Sequence, residues 1–125
     1  IFNDPSQKKI LEKIIHPKVR DEMFQRINKS DDHYLIVSVP LLVETGMHQI
    51  MDRNLLVDCS EDTQIERLMN RDKISLNEAR AILKNQASRS DRNKIADDLI
   101  INEKNVTLVE LEDKVLELHK YYSKQ

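Results

Sequence analysis

The stretch Tyr34-Leu35-Ile36-Val37-Ser38-Val39-Pro40-Leu41-Leu42-Val43-Glu44 is an apolar run that stops at a carboxylate. A strand covered by helices on both faces reads as a nearly unbroken hydrophobic run, and ligands in such sheets gather beyond the carboxyl ends of the strands. The run therefore predicts a strand over Leu35–Val43 that delivers Glu44 to a crevice. It is also compatible with a sandwich-core strand followed by a solvated turn at Thr45-Gly46, since short apolar runs are ambiguous by periodicity alone. Pro40 favours a strand end over a mid-sheet position, because proline donates nothing to a ladder.

A second run, Asn54–Cys59, is again continuous rather than alternating, the two such runs favour a parallel sheet, and Asp98–Asn102 reads as a third short strand. Helical patterns lie around and between them. Asn3-Asp4-Pro5 is a helix start, with Asp4 as cap and Pro5 where its missing N–H costs nothing. Ile10, Leu11, Ile14 and Ile15 then share a stripe, His16-Pro17 predicts an interruption, and Val19, Met23 and Ile27 predict a second helix. Asn28 to His33 reads as a polar exit, and Met47–Arg53 as a short irregular or helical piece. Ser60-Glu61-Asp62 opens a helix through Ile65, Leu68 and Met69, with its acids where the helix dipole favours them. Ser75-Leu76-Asn77-Glu78 and Thr107-Leu108-Val109-Glu110 are capping boxes. The first opens a helix with Ala79, Ile82, Leu83 and Gln86 on one face; the second opens a last helix with Leu108, Leu111, Val115, Leu118 and Tyr122 as core stripe.

The chain has 125 residues, enough for one domain with a real core, and a formal net charge of −2. That total hides an asymmetry. Residues 67–94 hold eight Lys or Arg against three acids, +5 locally, so the remainder carries −7. A cationic patch on an acidic protein suits a small polyanion better than a long nucleic acid. Cys59 is the only cysteine, which excludes an intrachain disulfide and a cysteine-rich zinc site and points to a reducing cytoplasm. No apolar run approaches the ~20 residues of a membrane span. The first residue is Ile1 rather than Met, and a fragment or processed chain is expected.

Arg67 and Arg71 are four apart and Arg89 and Arg92 three apart, so each pair shares a helix face. They flank one helical insertion, and convergence of four guanidinium groups on phosphate competes with a plain solvated basic face. Guanidinium is a planar, permanently charged, multidentate donor to phosphate. Asp58 and Cys59 end the second strand on the same side as Glu44, with Cys59 expected as a small buried hydrophobe. His16 competes between a substrate contact and a helix-end residue. His33, His48 and His119 lack metal-ligand spacing, so no metal site is expected. Gly46 is the only glycine, which excludes both a P-loop and a dinucleotide fingerprint from these residues.

The set His16-Pro17, Val39-Pro40-Leu41-Leu42-Val43-Glu44, Arg71-Asp72, Gln86-Ala87-Ser88-Arg89-Ser90-Asp91-Arg92 and Ala96-Asp97-Asp98 resembles dephospho-coenzyme A kinase, in order and separation, along essentially the whole chain. The resemblance implies an incomplete P-loop kinase-type three-layer α/β fold with a parallel sheet, a helical lid and part of a helical substrate-binding region. On that pattern residues 1–34 are part of the coenzyme A region, 35–68 core sheet and helices, 69–95 the lid, and 96–125 core with the third strand and C-terminal helix. The family uses MgATP to phosphorylate the ribose 3′-hydroxyl of dephospho-CoA, the last step of coenzyme A biosynthesis. By resemblance Glu44 supports catalysis near the substrate hydroxyl, Arg71, Arg89 and Arg92 are lid contacts to ATP, His16 and Arg20 contact substrate, and Asn102 lies near adenine.

The family's P-loop and its early aspartate base precede the portion matched here, and Asn102-Glu103-Lys104 stands where the family commonly has Asn and Gly. The chain alone is accordingly expected to be inactive. The phosphate-binding strand of such kinases lies between the strands at Leu35 and Leu55, so its removal exposes a sheet edge at which chains could self-associate. Two other readings compete: another nucleoside or nucleotide kinase, and a helical module binding nucleic acid through the 67–94 patch. The resemblance favours a small-molecule substrate, with no nucleic acid and no membrane as partner.

Overall fold

In the computed structural model, which describes residues 4–125, a two-stranded parallel sheet fixes the frame. Its strands are β1 (Leu55–Asp58) and β2 (Asp98–Ile101), in the register Leu55↔Asp98 through Asp58↔Ile101. The backbone pairing continues past both ends, with Asp97 N–H donating to Asn54 O at 2.8 Å and Asn102 N–H to Asp58 O at 2.8 Å. Contacts divide the chain into two units, Ile1–Ile36 and Val37–Gln125.

The first unit is built on α1 (Pro5–Lys29). Asp4 caps it, accepting from Ser6 N–H at 2.9 Å and Gln7 N–H at 3.4 Å, with Pro5 at the first helical position as expected; Asn3 lies outside the described residues. The expected break at His16-Pro17 does not occur: α1 runs through Pro17. Proline removes a single hydrogen bond there, and its bias on His16 is a preference that long turns of Lys, Glu, Ile and Arg on either side override. No α1 residue is buried, and Ile10, Leu11, Ile14, Ile15 and Val19 all stand exposed.

The expected strand over Leu35–Val43 is also absent. Residues 34–39 join no ladder among the described residues, and from Pro40 the chain turns. Thr45 N–H donates to Leu41 O and Gly46 N–H to Val43 O, each at 3.0 Å. The physical reason is pairing: an apolar segment becomes a strand only when a neighbour takes its N–H and C=O groups, and no described strand lies beside it. Gly46 takes φ +69°, the left-handed value that costs glycine nothing, and leads into the 3₁₀ turn Met47–Ile50.

Between β1 and β2 lie α2 (Glu61–Asp72), α3 (Leu76–Lys84) and α4 (Arg89–Ile95); α5 (Leu108–Tyr122) follows β2. Every start is sealed by a side chain. Ser60 accepts from Thr63 N–H, Ser88 from Asp91 N–H, and both expected capping boxes are complete. α2 ends at Lys73 in the left-handed conformation. The core is small: Ile65 of α2, Ala79 of α3, Ile100 of β2 and Leu118 of α5 are the buried apolar residues among those described. Of the expected α5 stripe Leu118 is buried, whereas Leu108 and Val115 are exposed. Val57, in register with buried Ile100, is exposed because the far side of β1 has no strand partner among the described residues.

A second fastening at the start of α2 comes from Glu103, just beyond β2. Its carboxylate accepts from Ser60 N–H at 2.7 Å and from the hydroxyls of Ser60 and Thr63. Those bonds, led by Thr63, hold its pKa down at about 2 from an ordinary 4.5. A depressed carboxylate pKa contributes stability that is present above the unfolded value and lost as pH falls toward the folded one. Glu103→Gln should therefore melt below wild type at neutral pH. The gap in melting temperature should narrow as pH falls below about 4.5 and close as it passes about 2, and a gap independent of pH would refute the assignment.

Candidate functional site

The carboxyl end of β1 gathers the polar chemistry of the second unit. Asp58, its last residue, is 4% exposed, and its Oδ2 accepts from Arg89 Nε and Nη2, each at 2.8 Å. Arg89 opens α4 directly after the Ser88 cap, so the cap sets where this guanidinium starts. The carboxylate raises the pKa of Arg89 further, leaving it a fixed cation. Next to Asp58, burial pushes the Cys59 thiol up, against the pull of Arg67, so the sulfur is a neutral thiol and a poor nucleophile. It is half-buried rather than fully enclosed.

One turn further along α4, Arg92 donates to Ala87 O at 3.0 Å and to Gln64 Oε1 at 3.3 Å, while Gln64 donates to Cys59 O at 3.0 Å. Arg92 is thereby tied to the end of β1 through one intervening amide. Glu44, exposed in its turn, accepts from Ala87 N–H at 2.7 Å. The turn that follows the apolar run thus reaches across to the linker before α4. Glu44, Asp58, Gln64, Gln86 and Arg92 line one cavity of about 310 Å³ together with Val39, Pro40, Leu42 and the other residues of β1.

The other expected site residues lie elsewhere. Arg71, at the end of α2, forks onto its neighbour Asp72 at 2.6 and 2.9 Å and is exposed. Arg67 donates to Asn102 O at 2.8 Å, which fixes α2 to the end of β2. Asn102 directs its own N–H into the ladder. The four guanidinium groups therefore take four separate partner sets. His16 and Arg20 are exposed on α1, in the first unit. Two contributors escaped the reading of the sequence, Gln64 and the pairing of Asp58 with Arg89. Ser88-x-x-Asp91, a helix-start pattern before Arg89, was the available signal for α4. No group of three or more His, Cys, Asp or Glu able to hold a metal ion occurs among the described residues.

A family model described as dephospho-CoA kinase matches residues 1–107. The chain is 45% identical to a dephospho-CoA kinase of Nitrosospira multiformis, over 98% of this chain and 60% of that one. It is likewise 45% identical to one of Aliivibrio fischeri, over 82% and 57%. Among solved structures it aligns with a Thermus thermophilus protein at TM-score 0.81 and 25% identity, covering 96% of this chain and 61% of that one. With the dephospho-CoA kinase of Campylobacter jejuni the TM-score is 0.70 at 28% identity, covering 98% and 61%. The chain spans about three fifths of the length of the curated relatives it matches.

The Glu44 clasp on the linker has a direct readout. A hydrogen bond to a charged acceptor contributes roughly 1.5 kcal/mol or more, so Glu44→Ala should accelerate amide exchange at Ala87 by about tenfold or more while amides of β1 and β2 keep their protection. Unchanged exchange at Ala87 would show the clasp is not made in solution.

Proposed function

The chain belongs to the dephospho-CoA kinase family, and from that membership we propose that it is part of an enzyme transferring the γ-phosphate of ATP to the ribose 3′-hydroxyl of dephospho-CoA. Its α/β fold is the P-loop kinase type of its structural neighbours, of which it covers 61%. The observation that carries the reading is the meeting of Glu44, Asp58 and Arg92 around one cavity at the carboxyl end of a parallel strand, with Arg89 anchored on Asp58. Parallel α/β sheets bind their ligands at that end.

Phosphoryl transfer asks a protein mainly for positioning and for fixed positive charge around oxygens that carry developing negative charge. Arg71, Arg89 and Arg92 supply permanent cations suited to the phosphates of ATP. Glu44, on a turn clasped to the same linker, supplies a carboxylate for the neighbourhood of the acceptor hydroxyl and orients the lid through Ala87. His16 and Arg20 on α1 are assigned to dephospho-CoA, and Asn102 beside the end of β2 to the surroundings of adenine. Bound ATP with Mg²⁺ supplies the transferable group. Gly46 is the sole glycine, so the glycine-rich loop that wraps phosphates is not drawn from these residues, and the 125-residue chain by itself should not turn over. The lone cysteine suits a cytoplasmic enzyme, and no described helix is long and apolar enough to cross a membrane.

Nucleic-acid binding through residues 67–94 is the weaker reading. Arg67, Arg71, Arg89 and Arg92 each hold an intramolecular partner instead of forming an open basic stripe.

The full-length protein that contains this chain should convert dephospho-CoA in an MgATP-dependent assay, and preference for nucleosides or nucleotides would overturn the substrate assignment. Among the described residues the fork of Arg71 meets only its neighbour Asp72, so Arg71→Ala should leave the melting temperature unchanged. Losing a charged phosphate contact worth ~1.5 to 3 kcal/mol should raise KM for ATP by about 10- to 100-fold. An unaltered KM would remove Arg71 from the site.

A further inference from the structure

Asp98 and Asp58 each receive an arginine, in two different ways. Arg53 meets Asp98 fork to fork, Nε on Oδ2 at 2.8 Å and Nη2 on Oδ1 at 2.9 Å, so both carboxylate oxygens are used. Arg89 places Nε and Nη2 on the same oxygen of Asp58, Oδ2, and leaves buried Oδ1 with no partner among the described residues. A purely structural ion pair gains most by satisfying both oxygens, because an orphaned buried acceptor costs free energy.

Asp58 is fixed on the ladder with its side chain 2% exposed, whereas the side chain of Arg89 is 47% exposed. One edge of the guanidinium is therefore held by an immobile carboxylate, and the other edge faces solvent. A guanidinium has five N–H donors in a rigid fork, so with two committed to Asp58 three remain for an anion, already oriented. A side chain with four rotatable bonds would otherwise lose that freedom on meeting phosphate.

We propose that Asp58 is a positioning residue for the lid arginine Arg89: it aims the free edge of the guanidinium at the ATP phosphates and keeps its grip when they arrive. This rests on the assignment of Arg89 as a phosphate contact. The contrary geometry, in which Asp58 withholds Arg89 from ATP, makes the opposite prediction.

The experiment uses the full-length parent enzyme, with Asp58→Asn, Arg89→Ala and the double variant, each checked for a wild-type melting profile. Arg89→Ala should raise KM for ATP by about tenfold or more, as loss of a charged hydrogen-bond donor does. Asp58→Asn should raise the same KM by about tenfold, with KM for dephospho-CoA unchanged, and the double variant should be no worse than Arg89→Ala, since both act through one side chain. Additive effects, or an Asp58→Asn enzyme with unchanged or lowered KM for ATP, would overturn the proposal. If Arg89→Ala leaves KM unchanged, the phosphate-contact assignment falls first and the proposal with it. A second measurement needs no Asp58 variant. The Arg89 Nε–H resonance, identified by its loss in Arg89→Lys, should stay slowly exchanging when a non-hydrolysable ATP analogue is added; its release on adding the analogue would refute the retained grip.

Discussion

Everything in the larger unit depends on the parallel pairing of Leu55–Asp58 with Asp98–Ile101. Parallel neighbours cannot be joined by a tight turn, so the chain must leave one end of the sheet and return to the other. The return here contains α2, α3 and α4, and that crossover carries Arg67, Arg71, Arg89 and Arg92. The ladder is short, and it is lengthened by backbone and side-chain bonds at both ends: Asn54 N–H also donates to Asp97 Oδ2 at 2.8 Å. Four pairs alone would be a marginal sheet. Helices on the crossover and α5 make it hold.

The two ends of that ladder are chemically unlike. At the amino end Asp98 is saturated, taking Arg53 on both oxygens and Tyr122 Oη at 2.7 Å, while Arg53 lies 5.1 Å over the Tyr121 ring. The Arg53 bonds hold the Asp98 pKa below the ordinary range, and burial with the bond to Asp98 pushes the Tyr122 phenol up to about 12. No proton moves there near neutrality, and the cluster simply pins α5 to β2. At the carboxyl end Asp58 keeps an oxygen without a partner among the described residues, Arg89 keeps an open edge, and a cavity adjoins Asp58. Buried Asn54 Oδ1 at the amino end also lacks a partner among the described residues, so what sets the carboxyl end apart is the cavity beside Asp58 and the open edge of Arg89.

Much of this was legible in the sequence because it is set locally. Ser75 with Glu78, Thr107 with Glu110, and Ser60 before Glu61-Asp62 write helix starts within four residues, and the apolar runs at Leu55 and Asp98 write parallel strands, although only Asp58 and Ile100 of the two are buried. The family resemblance in Val39–Glu44 and Gln86–Arg92 was borne out by the family match. Pairings over more than thirty residues were not legible. Nothing in the spacing of Asp58 and Arg89, of Glu44 and Ala87, or of Ser60 and Glu103 announces a partner, because those bonds depend on where the crossover sets its helices down. Pro17 failed as a break for a related reason: the penalty of one proline is fixed, while the support of its flanks grows with helix length.

The apolar run before Glu44 shows the limit most clearly. Its composition suits a strand with both faces covered, and that part of the inference concerns side chains, which each residue carries with it. Strand formation concerns the backbone, whose N–H and C=O groups need a second chain segment at hydrogen-bonding distance. Residues 34–39 have no such segment among the described residues, and Pro40 could offer no N–H to one, so the following residues satisfy themselves by turning: Leu41 O takes both the N–H and the hydroxyl of Thr45. The run thus specifies the faces of a strand, and the neighbour decides whether the strand exists.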